Sequence, residues 1–124
     1  MAIVIDPEEW QQMYTSDIKE KFQESQQEFI QFQKTQRAVF LQQAGNKLFS
    51  VVENHLMLKH GKLARSYQHL KEIIKDDTED RILLADVARL HFFFYQNELA
   101  GDIDDFEFLY ERTALTVKKR LSQV

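Results

Sequence analysis

The side chains best able to ligate a metal or move a proton near neutral pH are His55, His60, His69 and His91. A di-iron or zinc bundle places two ligands on one helix face through Glu-x-x-His or His-Glu-x-x-His, and neither spacing occurs in this chain. His55 and His91 fall on largely apolar segments, the setting of a buried, hydrogen-bonded histidine. His60 precedes Gly61, where positive charge suits a helix end. Arg65 and His69 are four apart and share a helix face, with Ser66 and Tyr67 between them. Those types could serve a metal-independent ribonuclease, but an ordinary solvated face accounts for them more simply.

The acidic clusters Asp76-Asp77-Thr78-Glu79-Asp80 and Asp102-Ile103-Asp104-Asp105 lack the alternating ligands, mid-loop Gly and distal Glu of a calcium loop. Both fall at expected helix starts, where acids cap and complement the dipole. Ser16, Ser25, Ser50, Ser66 and Ser122 stand outside any nucleophile-elbow pattern, and no Gly-rich phosphate loop is present. The sequence therefore points to a non-enzymatic protein that needs no cofactor or metal.

The elements that position these residues follow from composition. With 124 residues, 44% of them hydrophobic, the chain suits one helical domain spanning 1–124 with a core of its own. Three Gly and one Pro leave little punctuation for short strands, so the class is all-α. The absence of Cys removes disulfide and thiolate chemistry and suits a reducing, cytoplasmic setting. The apolar opening Met-Ala-Ile-Val-Ile is too short for a membrane span and lacks the basic flank of a signal.

A bundle of four to five helices is expected. Asp6-Pro7-Glu8-Glu9, with Ile5 stapled onto Trp10, starts a short helix over 7–14. Ser16 or Asp17 then caps a long Gln-rich helix over 17–44, continued over 47–60 with a break or kink favoured at Gly45. Gly61 ends it, and helices over 62–75, 79–99 and 102–121 follow. The stretch Ile82–Tyr95 is apolar nearly all round, which calls for enclosure of a central helix near 79–99, with Leu84, Val87, Leu90 and Phe94 in the core. The turns at Gly61 and Gly101 look alike, but Asn54, Phe94 and Phe106 are too large for the small-residue packing of a helical-hairpin repeat.

The surfaces hold the functional signal. Ten of the 13 Gln lie in the first 43 residues. Among them Phe22, Phe29 and Phe32 space out like a short coiled-coil seam, which would close either within the chain or between two chains. Phe108 and Leu115 lie opposite the expected inward face of the last helix, Ile103, Phe106, Tyr110, Ala114, Val117 and Leu121. Phe93 projects between Asp86 and Arg89. Large aromatics on second faces suggest an interface, so Phe22, Phe29, Phe32, Phe93, Phe108 and Leu115 are the candidate protein-binding residues. The expectation is an adaptor, regulator or inhibitor that binds a protein partner and forms a homodimer, with no membrane attachment. A nucleic-acid role through Lys118, Lys119 and Arg120 is the alternative, disfavoured by a net charge of −4 and by the helix dipole, which itself draws cations to that end.

Overall fold

The computed structural model describes residues 7–93 and 103–123, apart from the side chains of Pro7 and Trp10. It is an all-α bundle of five helices with no strand among the described residues: α1 Pro7–Thr35, α2 Ala38–His60, α3 Tyr67–Ile73, α4 Thr78–Phe92 and α5 Ile103–Leu121. Asp6, Ile5, the Trp10 staple, Phe94 and Gly101 lie outside the described residues. Among those described, no helix is long and apolar enough to cross a membrane.

Three expected boundaries move. The helix predicted over 7–14 does not stop at Ser16 or Asp17. Thr15 instead donates its hydroxyl back to the Gln11 carbonyl at 2.7 Å, a bond compatible with an unbroken helix, and α1 runs on to Thr35. The long hairpin then turns at Gln36, not at Gly45. Gln36 has φ 58°, its backbone N–H donates to the Phe32 carbonyl at 2.7 Å, and its side-chain amide donates to the Gln33 carbonyl at 3.2 Å. Its amide thereby serves the open carbonyls that a terminal glycine motif would leave to the backbone. Two residues separate α1 from α2, so the helices fold back as an antiparallel pair.

Gly45 sits buried inside α2, and its role is close approach. A Cβ there would come within 2.9 Å of Phe106 Cζ and 3.3 Å of the Leu90 carbonyl oxygen, so the missing side chain admits both α5 and α4. α2 is the hub of the fold, packing against α1, α3, α4 and α5. It ends at Gly61 in the left-handed conformation, as the sequence predicts. The predicted helix over 62–75 shortens to Tyr67–Ile73 because Ser66, accepting from the His69 amide, is its cap.

The core runs through all five helices and includes Ile18, Phe32, Leu41, Leu48, Leu56, Leu70, Leu84, Val87, Leu90, Phe106 and Tyr110. Across α1, α2 and α5, Ser25 donates to the Ala44 carbonyl at 2.8 Å, which leaves Tyr110 to donate its hydroxyl to Ser25 at 2.7 Å. Burial pushes the Tyr110 hydroxyl up to about 12, so this link stays protonated at any ordinary pH. Within the chain α4 buries one face, while Ile82 and Phe92 stay exposed. Among the described residues the enclosure expected on nearly every side is therefore one-sided.

Candidate functional site

The densest group of ionisable side chains forms where the ends of α2 and α5 meet the start of α4. Asp77 caps α4 by accepting from the Asp80 amide at 3.0 Å. That fixes the phase of the first turn and turns the Asp80 side chain inward, where it is 0% exposed. Its carboxylate accepts from Arg120 at 2.6 Å, from His60 Nε2 at 2.7 Å and from Lys59 at 3.0 Å, and Lys59 also reaches Asp77 at 3.1 Å. Burial alone would raise the Asp80 carboxyl, but the His60, Arg120 and Lys59 hydrogen bonds outweigh it and hold the group well below the usual carboxylate range. Lys59 is raised, chiefly by its bond to Asp80.

His60, Asp77 and Asp80 bring their ligand atoms within 4.8 Å of one another, the geometry of a metal triad. A divalent ion there would compete for oxygens already bound by the Lys59 ammonium and the Arg120 guanidinium, so the donor set fits a salt-bridge knot better than a metal centre. Next to it, His55 Nε2 is buried with no hydrogen-bond partner among the described residues. Burial and the Arg120 charge lower it to about 4, so it is neutral at physiological pH.

The other chemical candidates are spent on structure. His69 Nδ1 accepts from the Arg65 amide at 2.9 Å and Ser66 caps α3, so the Arg65–His69 segment forms the start of that helix. His91 lies 2.9 Å from Asn46 Oδ1 and stacks on Phe49 at 4.4 Å. Arg120 is drawn inward by Asp80, so Lys118-Lys119-Arg120 does not present three free cations to a phosphate backbone.

Asp80 is the residue that sequence reasoning missed, having taken it for a capping acid. A signal existed. Asp80, Leu83, Leu84 and Val87 share the 3, 4, 7 spacing of one helix face, which places a carboxylate on the apolar stripe of α4 and demands buried cations to meet it.

The candidate interface residues separate into three groups. Phe22, Phe29 and Phe32 are buried by the chain itself: α2 folds back along α1, and Phe29 stacks on Tyr110 of α5 at 4.4 Å. The seam is thus intramolecular, which corrects its assignment as an outward surface. Phe93 is half-buried, with its ring edge-on to Phe106 at 4.9 Å. Phe108 and Leu115 face outward, at 66% and 55% exposed. Leu115 lines a shallow groove of about 290 Å³ between α1 and α5 together with Ile30, also exposed. Ile30, Phe108 and Leu115 make up the candidate binding surface. Comparison of the chain with protein-family models, curated proteins and solved structures found no significant match.

Proposed function

We propose that this chain is a non-enzymatic protein-binding module, an adaptor or regulator, that pairs with a second copy of itself through the outer stripe of α5. The observation that carries the reading is the exposure of Phe108 and Leu115, seven residues apart on one helix face and flanked across the groove by Ile30. A surface of aligned large apolar side chains gains by association, and twofold pairing lets the same patch serve both partners. The commitment of His60, His69, His91 and Asp80 to hydrogen bonds within the bundle supports a binding role over catalysis.

Sedimentation velocity at micromolar concentration tests it. The parent should sediment as a dimer, and Phe108→Asp or Leu115→Asp should shift it to monomer with the helical circular dichroism retained, since both side chains lie outside the core. A parent that is monomeric throughout that range would overturn the homodimer.

A further inference from the structure

A second groove, of about 700 Å³, runs between α3 and α4 on a face built by different residues from the α1–α5 surface. Its apolar floor includes Tyr67, Ile82 and Ala85, with Ile82 57% exposed. Lys71, Lys75 and Arg81 line it, and no carboxylate does: the acids of the same segments, Glu72, Asp76 and Glu79, lie outside the lining. None of the three cations has a salt bridge among the described residues; Lys71 lies over the Tyr67 ring at 5.6 Å, and Lys75 and Arg81 are exposed. The groove thus gathers three cations that have no ion pair among the described residues, on a chain of net charge −4.

The apolar floor continues along α4. Ile82, Ala85 and Phe92 follow one stripe at intervals of three and seven, a length of about 15 Å at the helical rise, with the exposed Arg89 on the same line between Ala85 and Phe92. At its far end Phe92 meets Tyr67 edge-on at 6.3 Å, joining the floor to the ring cluster of Phe49 and His91. An apolar stripe interrupted by one cation, Arg89, and flanked at its Ile82–Ala85 end by three more matches an amphipathic helix with an apolar seam and acidic shoulders.

We propose that the α3–α4 groove binds an acidic amphipathic helix of a partner protein, whose apolar residues pack on Ile82, Ala85 and Phe92 while its carboxylates pair with Lys71, Lys75 and Arg81. Single-stranded nucleic acid would use the cations and could stack bases on Tyr67 and Phe92 but would leave the aliphatic Ile82 and Ala85 unmatched, so the groove chemistry favours the helix. This site goes beyond the self-association reading and uses none of its residues, so either can fail alone.

The test is fluorescence anisotropy with a labelled helix-forming peptide of about four turns. It carries Leu at i, i+3, i+7 and i+10, with Glu on both flanks. The Glu–Leu peptide should bind the parent. Arg81→Glu, Lys75→Glu and Ile82→Asp should each weaken it by about tenfold or more, while Phe108→Asp leaves it unchanged. Replacing Glu by Lys, or Leu by Ser, in the peptide should abolish binding. Circular dichroism verifies that the groove variants stay folded. The proposal is overturned if the Glu–Leu peptide fails to bind, if its Lys counterpart binds equally well, or if Arg81→Glu has no effect. It is also overturned if a labelled oligonucleotide displaces the peptide, or if Ile82→Asp converts a dimeric parent to monomer, which would make a second copy the occupant.

Discussion

Asp80 and Arg81 are consecutive residues on the first turn of α4. One faces the interior, where Arg120, His60 and Lys59 surround its carboxylate, and the other faces the α3–α4 groove with no ion pair among the described residues. Each residue step turns the helix by about 100°, so adjacent charges can be sent to opposite fates by position alone. The buried one must be met by cations or unfold the site, because a charge removed from water without partners is costly. The exposed one is held by solvent and is free to pair with something else. Local charge density, which marks both clusters in the sequence, does not distinguish the knot from the groove; burial does.

The largest effect expected from this contrast is on stability at Asp80. Asp80→Asn should cost about 3 kcal/mol or more, because it leaves Arg120 and Lys59 facing a neutral acceptor in a site built for an anion. Urea denaturation of the purified variant measures it, and pairing Asp80→Leu with Arg120→Met should recover part of the loss by removing both charges together. An Asp80→Asn protein as stable as the parent would make the knot incidental to the fold.

The pH dependence sharpens the same comparison into two windows. His55 is held neutral in the fold at about 4, below its ordinary 6.5, so between those values the unfolded chain binds the proton more readily. Its contribution is complete above pH 6.5 and is lost as pH falls toward 4. Burial lowers His91 as well, so a His55→Leu variant should flatten the slope of stability against pH in that range in part, leaving the remainder to His91. Asp80 acts lower: its contribution is present above the ordinary carboxylate value of 3.8 and is lost as pH falls through the depressed value in the fold. Denaturation midpoints measured from pH 7 to pH 2 separate the two, and a parent whose stability is flat from pH 6.5 to 4 would contradict the assignment of His55.

The smallest expected effect is at Arg81. Arg81→Glu should change the melting free energy by no more than about 0.5 kcal/mol, and in the stabilising direction, since an acid near the start of α4 complements its dipole. A thermal melt beside that of Asp80→Asn gives the contrast directly. A large loss at Arg81 would mean that its side chain holds the fold and is not available to a partner.

Much of the helical layout was legible in the residues. The all-α class, a cap within the acidic segment before α4, the stop at Gly61 and the inward face of α5, apart from Ile103, which is exposed, follow from apolar period and cap chemistry, which are local properties. The turn at Gln36 was not legible, because glutamine is no turn signal and its amide becomes a cap only once the chain has folded back. Gly45 was misread for the complementary reason. The sequence shows a glycine, whereas the demand for it comes from Phe106 and Leu90, which are distant in the chain.

The candidate surfaces divide in the same way. Periodicity placed Phe108 and Leu115 on the outer stripe of α5, since the direction of a side chain around its own helix is set by spacing alone. Periodicity also found the Phe22–Phe29–Phe32 seam, but a seam states only that something must cover it. That the cover is α2 and Tyr110 of the same chain, that Asp80 gathers cations from two other helices, and that three cations meet on one groove between α3 and α4 were decided by tertiary packing. Sequence fixes which side of a helix a residue occupies, whereas only the mutual placement of helices fixes what stands opposite it, because that depends on contacts between residues far apart in the chain.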